Sequence, residues 1–452
     1  MQLLTIEKHG ICLILLLLVS MSSRAQLPQD TNVRDTRTTY CVTGIRDYSF
    51  NELIDEGGNT LVRQLEVWPI PVEEFWFAIK CHIRRHHFTF NRAERRKAAF
   101  RAISFTYPSI SPQGEPVMLS GLVTVPILTG NRPARMFIYH RLACATNSIA
   151  PSNSLPIESV LTADNTICVF PDYFGSGSTE GHPLPFVTLN YHARCATECV
   201  LAALDILQDN GIELDTGFYS WNSGYSQGGG YALATHKYIE NALPDSLQRR
   251  INLRWSLCYG GVYSPGTLYA TVVQNGDMGT TPAVFLQSLR GLLYAHQDQL
   301  EGHPLRDFMA DKACESGIYD LLLSDDDGLW DLAYRLHGRG KSRNPADYFS
   351  PAARDTANHL YKILIAGFSL DDCVQGWHPK APVVLGHSKK DHTIPFRLAQ
   401  QTQNQLSIGN RNCILCSPQI NTTHLITAVF YFGKLLLFRE DELFDFFVPL
   451  QP

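Results

Sequence analysis

Between Ala102 and Ser388 the chain alternates short apolar runs with longer stretches of helical period. AISFTYPSI (102–110) and VMLSGLVTVP (117–126) flank the polar SPQGEP and read as a β-hairpin. ARMFIYH (134–140), TICVFPDY (166–173), the FYSWN stretch (218–222), RWSLCYGGVY (254–263) and APVVLGHS (381–388) read as further strands. LNYHARCATECVLAALDILQDN (189–210) sets Ala193, Ala196, Val200, Leu204 and Leu207 on one helical face. Strands alternating with helices predict an α/β fold, a mostly parallel sheet with flanking crossover helices. Residues 265–350 break the rhythm. AVFLQSLRGLLYAHQ and LRDFMADKACESGIYDLLL are helix-like and predict a helical lid inserted over the sheet. Residues 26–100 form an N-terminal extension with a polar leader to Tyr40 and a mostly helical remainder. The α/β domain is then expected over 101–264 and 351–452.

The N-terminus adds a compartment. Lys8 precedes an apolar run from Ile11 to Val19 that is too short for a stable bilayer span, and Ser23-Arg24-Ala25 offers small residues at a cleavage site before Gln26. Residues 1–25 read as a signal peptide, which predicts a secreted or periplasmic protein. Elsewhere no stretch of about 18 apolar residues is free of charge, so no transmembrane segment is expected in the mature chain. Of twelve cysteines only Cys12 falls in the leader. In an oxidising compartment some of the others should form disulfide bonds. Cys413 and Cys416 make a lone CxxC without a second ligand pair, which favours a short-loop disulfide or buried thiols over zinc.

Charge excludes one class of partner. Lys plus Arg number 38 against 43 Asp plus Glu, a net charge of -5, so no basic excess exists to collect the phosphates of a nucleic acid. The local basic cluster HIRRHHF (82–88) and RAERRKAAFR (92–101) reads as a solvated helix face.

One motif carries chemistry. Gly224-Tyr225-Ser226-Gln227-Gly228 matches G-x-S-x-G, with an aromatic strand running into it and GGYALATHKYIE leaving it as a helix. A strand-to-helix turn this tight exposes the Ser226 hydroxyl at the carboxyl edge of the sheet, at a helix N-terminus that favours negative charge. Serine is a weak nucleophile until a base takes its proton. In this architecture the acid and then the base follow in chain order. Asp391, in the turn after APVVLGHSKK, is the candidate acid; Asp371 and Asp372 precede that strand and fall at the wrong edge. His424 is the candidate base, ahead of a C-terminal helical stretch, whereas His392 abuts the acid and His387 sits at the strand end as a structural residue. The oxyanion hole needs two backbone N–H groups: one from Gln227, the other from the loop after FIYH, near Arg141 or Leu142. PDYFGSGSTEGHP (171–183) is a second turn at the same edge, read as support beneath the site.

On GYSQGG (224–229), FPDYFGSGSTEGHP (170–183), PVVLGHSKKDHTIP (382–395) and the INTTH segment ending at His424, the chain resembles the α/β-hydrolase superfamily. More narrowly it looks like the secretory lipase and secreted esterase families. The resemblance covers roughly residues 100–445 and implies a Ser226-Asp391-His424 triad, carboxylic-ester substrates, a helical lid and no cofactor. Two rivals remain: a serine peptidase on the same fold, and a catalytically inactive binding protein.

Overall fold

The computed structural model describes residues 40–66, 95, 97–127, 132–143, 149–279, 282–323, 342–418 and 420–448. The expected signal peptide, most of the basic cluster, Cys81 and Cys144 lie outside the described residues.

Among the described residues nine strands form one sheet in the order β1-β2-β3-β5-β4-β6-β7-β8-β9. They are β1 (Cys41–Ser49), β2 (Ala99–Ile110), β3 (Pro116–Pro126), β4 (Arg135–His140), β5 (Thr166–Pro171), β6 (Tyr219–Tyr225), β7 (Leu253–Tyr259), β8 (Val383–Gly386) and β9 (Cys413–Cys416). The β1-β2-β3-β5 side is antiparallel and the β5-β4-β6-β7-β8-β9 side is parallel. The parallel strands are short apolar runs buried on both faces, as TICVFP in β5 and VVLG in β8 show, because helices cover both sides. The main helices are α1 (Phe50–Glu66), α2 (Leu189–Asp209), α3 (Gln227–Asn241), α4 (Pro265–Asn275), α5 (Pro282–Ala295), α6 (His359–Ser369), α7 (Phe396–Leu406), α8 (His424–Leu437) and α9 (Glu440–Phe447). This is the α/β architecture, a mostly parallel sheet with flanking helices, expected from the alternation of strands and helices.

The strand order fixes where a site can form. From β4 the chain steps to β5 on one side, then crosses back so that β6 pairs on the other side of β4. Loops that leave adjacent strands in opposite directions open a crevice at their carboxyl ends. The segments after β4, β6 and β8 all emerge at that edge.

Three expectations need correction. The extension is not mostly helical from its start. CVTGIRDYS is an edge strand paired antiparallel with β2, and the helix α1 begins only at Phe50. The sequence hid this strand because Arg46 and Asp47 leave no clean apolar alternation. The basic cluster is only partly a solvated face where it is described: Lys97 is exposed, but Arg95 is fully buried and donates from Nε to Asp164 Oδ1 at 2.8 Å and from Nη1 to the Leu436 carbonyl at 2.7 Å. Arg101 pairs with Asp47 across β1 and β2. Finally, all nine described cysteines are free thiols, six of them buried, and Cys413 and Cys416 are the ends of β9 rather than a closed loop.

The segment read as a lid is helical but does not form a separable cap. Leu268, Phe285, Leu289 and Phe308 share one apolar core with Val383 and Leu385 of the sheet. Among the described residues no helix is long and apolar enough to cross a membrane.

Candidate active site

Ser226 stands between β6 and α3 with φ 58° and ψ −119°, a region that non-glycine residues rarely occupy. Its neighbours permit the turn. A Cβ on Gly224 would overlap the Gly228 carbonyl, and one on Gly228 would overlap the His140 carbonyl at the end of β4. The Ser226 N–H is held by the Tyr259 carbonyl of β7 at 2.9 Å, and the Ser226 carbonyl accepts from the Gly230 N–H at 3.1 Å. The strain is therefore fixed by bonds on both sides of the residue.

The structure brings Ser226, His424 and Asp391 into one line. His424 Nε2 lies 2.9 Å from Ser226 Oγ, and His424 Nδ1 lies 2.6 Å from Asp391 Oδ2. His424 is the first residue of α8, and its carbonyl accepts from the Tyr225 hydroxyl, so the strand residue before the serine anchors the imidazole's backbone. Asp391 is buried in the loop after β8. Its Oδ1 accepts the Thr393 and Ile394 N–H groups at 3.0 and 2.9 Å. Burial would raise its carboxyl, but His424 and His387 beside it override that and hold it well below the usual carboxylate range. With Nδ1–H donating to this carboxylate, Nε2 is left to accept from the serine hydroxyl. The arrangement can take a proton from Ser226 as its oxygen attacks an electrophile.

His387 does more than end a strand. Its Nε2 donates to the Ile394 carbonyl at 2.7 Å and sits 3.4 Å from Asp391 Oδ2, so it braces the acid loop from beneath. Asp371 and Asp372 are structural. Asp371 accepts from the Asn190 N–H and meets His296, and Asp372 caps the turn at Val374 and Gln375.

Gln227 begins α3, so its backbone N–H is among those without a partner in the helix, directly after Ser226. Leu142 lies two residues beyond the end of β4, at the same edge, and is half-buried. The sequence did not show how this loop is stapled. The buried Arg141 donates to the Ile149 carbonyl at 3.0 Å and Ser176 Oγ at 2.9 Å, its guanidinium stacks on Tyr173, and the Tyr173 hydroxyl donates back to the Arg141 carbonyl. Thus the FPDYFGSG turn does underlie the β4 loop, with Tyr173 and Ser176 as the contact residues. Below, His140 Nδ1 and His192 Nε2 are 3.1 Å apart, and His192 stacks on Tyr231 of α3 at 3.8 Å.

Ser226, Gln227 and His424 open onto an apolar slot. Its walls are Phe186 and Val187, Leu268 of α4, Phe285 of α5 and Phe368 of α6. Thr393 and Ile394 of the acid loop close one side. The interatomic space of the whole depression is about 640 Å³, but only about 40 Å³ can hold the centre of a water-sized molecule, so the cleft is narrow. Phe186 and Val187 carried no sequence signal for this role.

No protein-family model matches the chain, and no curated protein matches it. Solved structures do. A Legionella pneumophila protein provisionally assigned as a hydrolase aligns with a TM-score of 0.66 at 15% identity, over 92% of this chain and 99% of its own. The rice cell wall degrading esterase LipA from Xanthomonas oryzae aligns with a TM-score of 0.62 at 21% identity, over 77% and 92%. Candida antarctica lipase A aligns with a TM-score of 0.55 at 14% identity, over 80% of each chain. These likenesses establish the α/β-hydrolase fold for this chain.

Proposed function

We propose that the protein is a serine hydrolase of carboxylic esters. Ser226 Oγ attacks the acyl carbon while His424 Nε2 takes its proton. The oxyanion that forms is stabilised by the Gln227 N–H and a second N–H from the loop at Arg141 and Leu142. His424 then gives the proton to the leaving alcohol, Asp391 keeps the imidazole in the required tautomer, and water releases the acyl group by the same route. The observation that carries this reading is the Ser226-His424-Asp391 line at 2.9 and 2.6 Å, opening onto an apolar slot. The esterase and lipase among the structural neighbours lend it support. The slot's described lining contains no carboxylate that would bind a peptide amine, which favours an ester hydrolase over a peptidase.

The N-terminal pattern supports export as part of the same proposal, with cleavage before Gln26. A fluorophosphonate probe should label Ser226, and p-nitrophenyl esters should turn over where peptidyl anilides do not. No labelling and no ester turnover would overturn the reading, and a mature N-terminus other than Gln26 would overturn the cleavage assignment.

A further inference from the structure

A second strained residue faces the same slot. Val187 has φ 64° and is buried. A β-branched residue in the left-handed region is a genuine outlier, because the branched Cβ crowds the backbone there. Glycine would adopt this conformation without that penalty. The position nevertheless carries an isopropyl group, and that group lines the cleft beside Ser226.

The surroundings over-determine the conformation. On one side the Val187 N–H donates to the Tyr231 hydroxyl at 3.3 Å, and the same hydroxyl accepts from Gln227 Nε2 at 2.7 Å. On the other side Gly291 of α5 lies against Phe186 so closely that a Cβ would overlap the Phe186 N and carbonyl oxygen. The turn itself is closed by the Phe186 N–H to the Leu184 carbonyl at 2.8 Å and by the Thr188 hydroxyl to the Pro185 carbonyl at 2.6 Å. With these contacts intact the backbone is held beside the slot. Val187 thus stands as a wall of the slot, tied through Tyr231 to Gln227, the residue that follows Ser226.

The free space agrees with a small occupant. Only about 40 Å³ of the depression admits the centre of a water-sized molecule. We propose, building on the ester-hydrolase reading, that the acyl site accepts short chains and that Val187 is the residue that sets the limit, its backbone strain holding the isopropyl group across the slot.

The test compares kcat/KM on p-nitrophenyl butyrate and octanoate for the wild type, Val187→Gly and Val187→Ala, with fluorophosphonate labelling of Ser226 run on each. The wild type should prefer butyrate. In at least one variant that labels like the wild type, the octanoate-to-butyrate ratio should rise about tenfold, the scale on which a hydrophobic pocket discriminates by a methylene. A wild type that hydrolyses octanoate as well as butyrate overturns the proposal. So does a ratio that changes less than threefold in every labelled variant. Should both variants fail to label, the wild-type profile alone decides. Absence of labelling and turnover in the wild type would instead show that the ester-hydrolase reading has failed, and this inference with it.

Discussion

Two residues beside the slot hold a positive φ that side chains rarely adopt, Ser226 at 58° and Val187 at 64°, and they come by it in opposite ways. The turn at Ser226 is written into its own pentapeptide: Gly224 and Gly228 remove the side chains that would collide, and a strand and a helix clamp the ends. The turn at Val187 has no such neighbours. Pro185, Phe186 and Thr188 do not announce it, and the local bonds that close it are joined by restraints from Tyr231 and Gly291, far away in sequence. Local strain can be read from a motif; strain imposed by tertiary contacts has to be seen.

On the proposed function the first turn does chemistry and the second selects the acyl chain, and that division breaks most visibly at Ser226. Ser226→Ala should cut ester kcat/KM by at least ~10³-fold while the far-ultraviolet spectrum and unfolding midpoint stay near wild type, since the glycines that shape the turn remain. Retention of a tenth of the wild-type rate would remove the serine from the mechanism. Asp391→Asn should cost roughly 10²–10⁴-fold, because the imidazole loses control of its tautomer. Asp372→Asn should cause no comparable loss: that carboxylate is occupied with the Ser264 hydroxyl at 2.7 Å and the Val374 N–H at 2.7 Å. The reverse result in steady-state kinetics would reassign the acid.

How far these features were legible follows the same division. The strands β2 to β8 could be read because each is a dense apolar run between turn residues, and their ends fell within a few positions of the runs. β1 and β9 could not. β1 carries charge and gains its place only by pairing with β2, and the four-residue CILC invited a thiol reading. The three residues that meet at the site were each nominated by position relative to a strand, a signal that survives without any contact information. The Arg141 staple, the bracing His387 and the slot walls depend on side chains converging from separate segments, and no spacing in the chain encodes that. The lid expectation was legible as helix but not as architecture, since α4 and α5 merge with the core of the sheet.

The two regions should also respond differently to acid. Beneath the Ser226 turn, burial pushes His140 down to about 3, and burial together with His140 and Arg141 holds His192 well below its usual value. Both are neutral in the fold, whereas in the unfolded chain each takes a proton near ~6.5. The unfolded state therefore binds more protons as pH falls below ~6.5, so stability is fully present above that pH and drains away between there and about 3. At pH 5 the His140 contribution alone should lower stability by about 2 kcal/mol. Asp391, depressed in the fold, adds a loss only below ~4, where its unfolded form protonates. Urea midpoints between pH 8 and pH 5 provide the measurement. A flat profile would mean that the paired histidines are not held neutral, and that the turn does not rest on an uncharged stack.

The smallest effect sharpens the comparison most, because it falls on the link between the two turns. The Tyr231 hydroxyl accepts from Gln227 Nε2 on the Ser226 side and from the Val187 N–H on the slot side, while the ring stacks on His192. Tyr231→Phe keeps the ring and deletes only the shared acceptor. A buried hydrogen bond of this kind is worth about 1 kcal/mol net, and two donors lose their partner, so stability should fall by about 1–3 kcal/mol. The Ser226-His424-Asp391 line does not include this hydroxyl, so fluorophosphonate labelling should continue at nearly the wild-type rate. The slot side should change instead. With its N–H released, Val187 can relax from φ 64° toward an ordinary conformation, and the preference for short acyl chains should weaken in the same direction as in Val187→Gly, though less. If labelling collapsed while chain-length preference held, the hydroxyl would belong to the chemistry rather than to the wall, and the division between the two turns would have to be drawn on the other side of Tyr231.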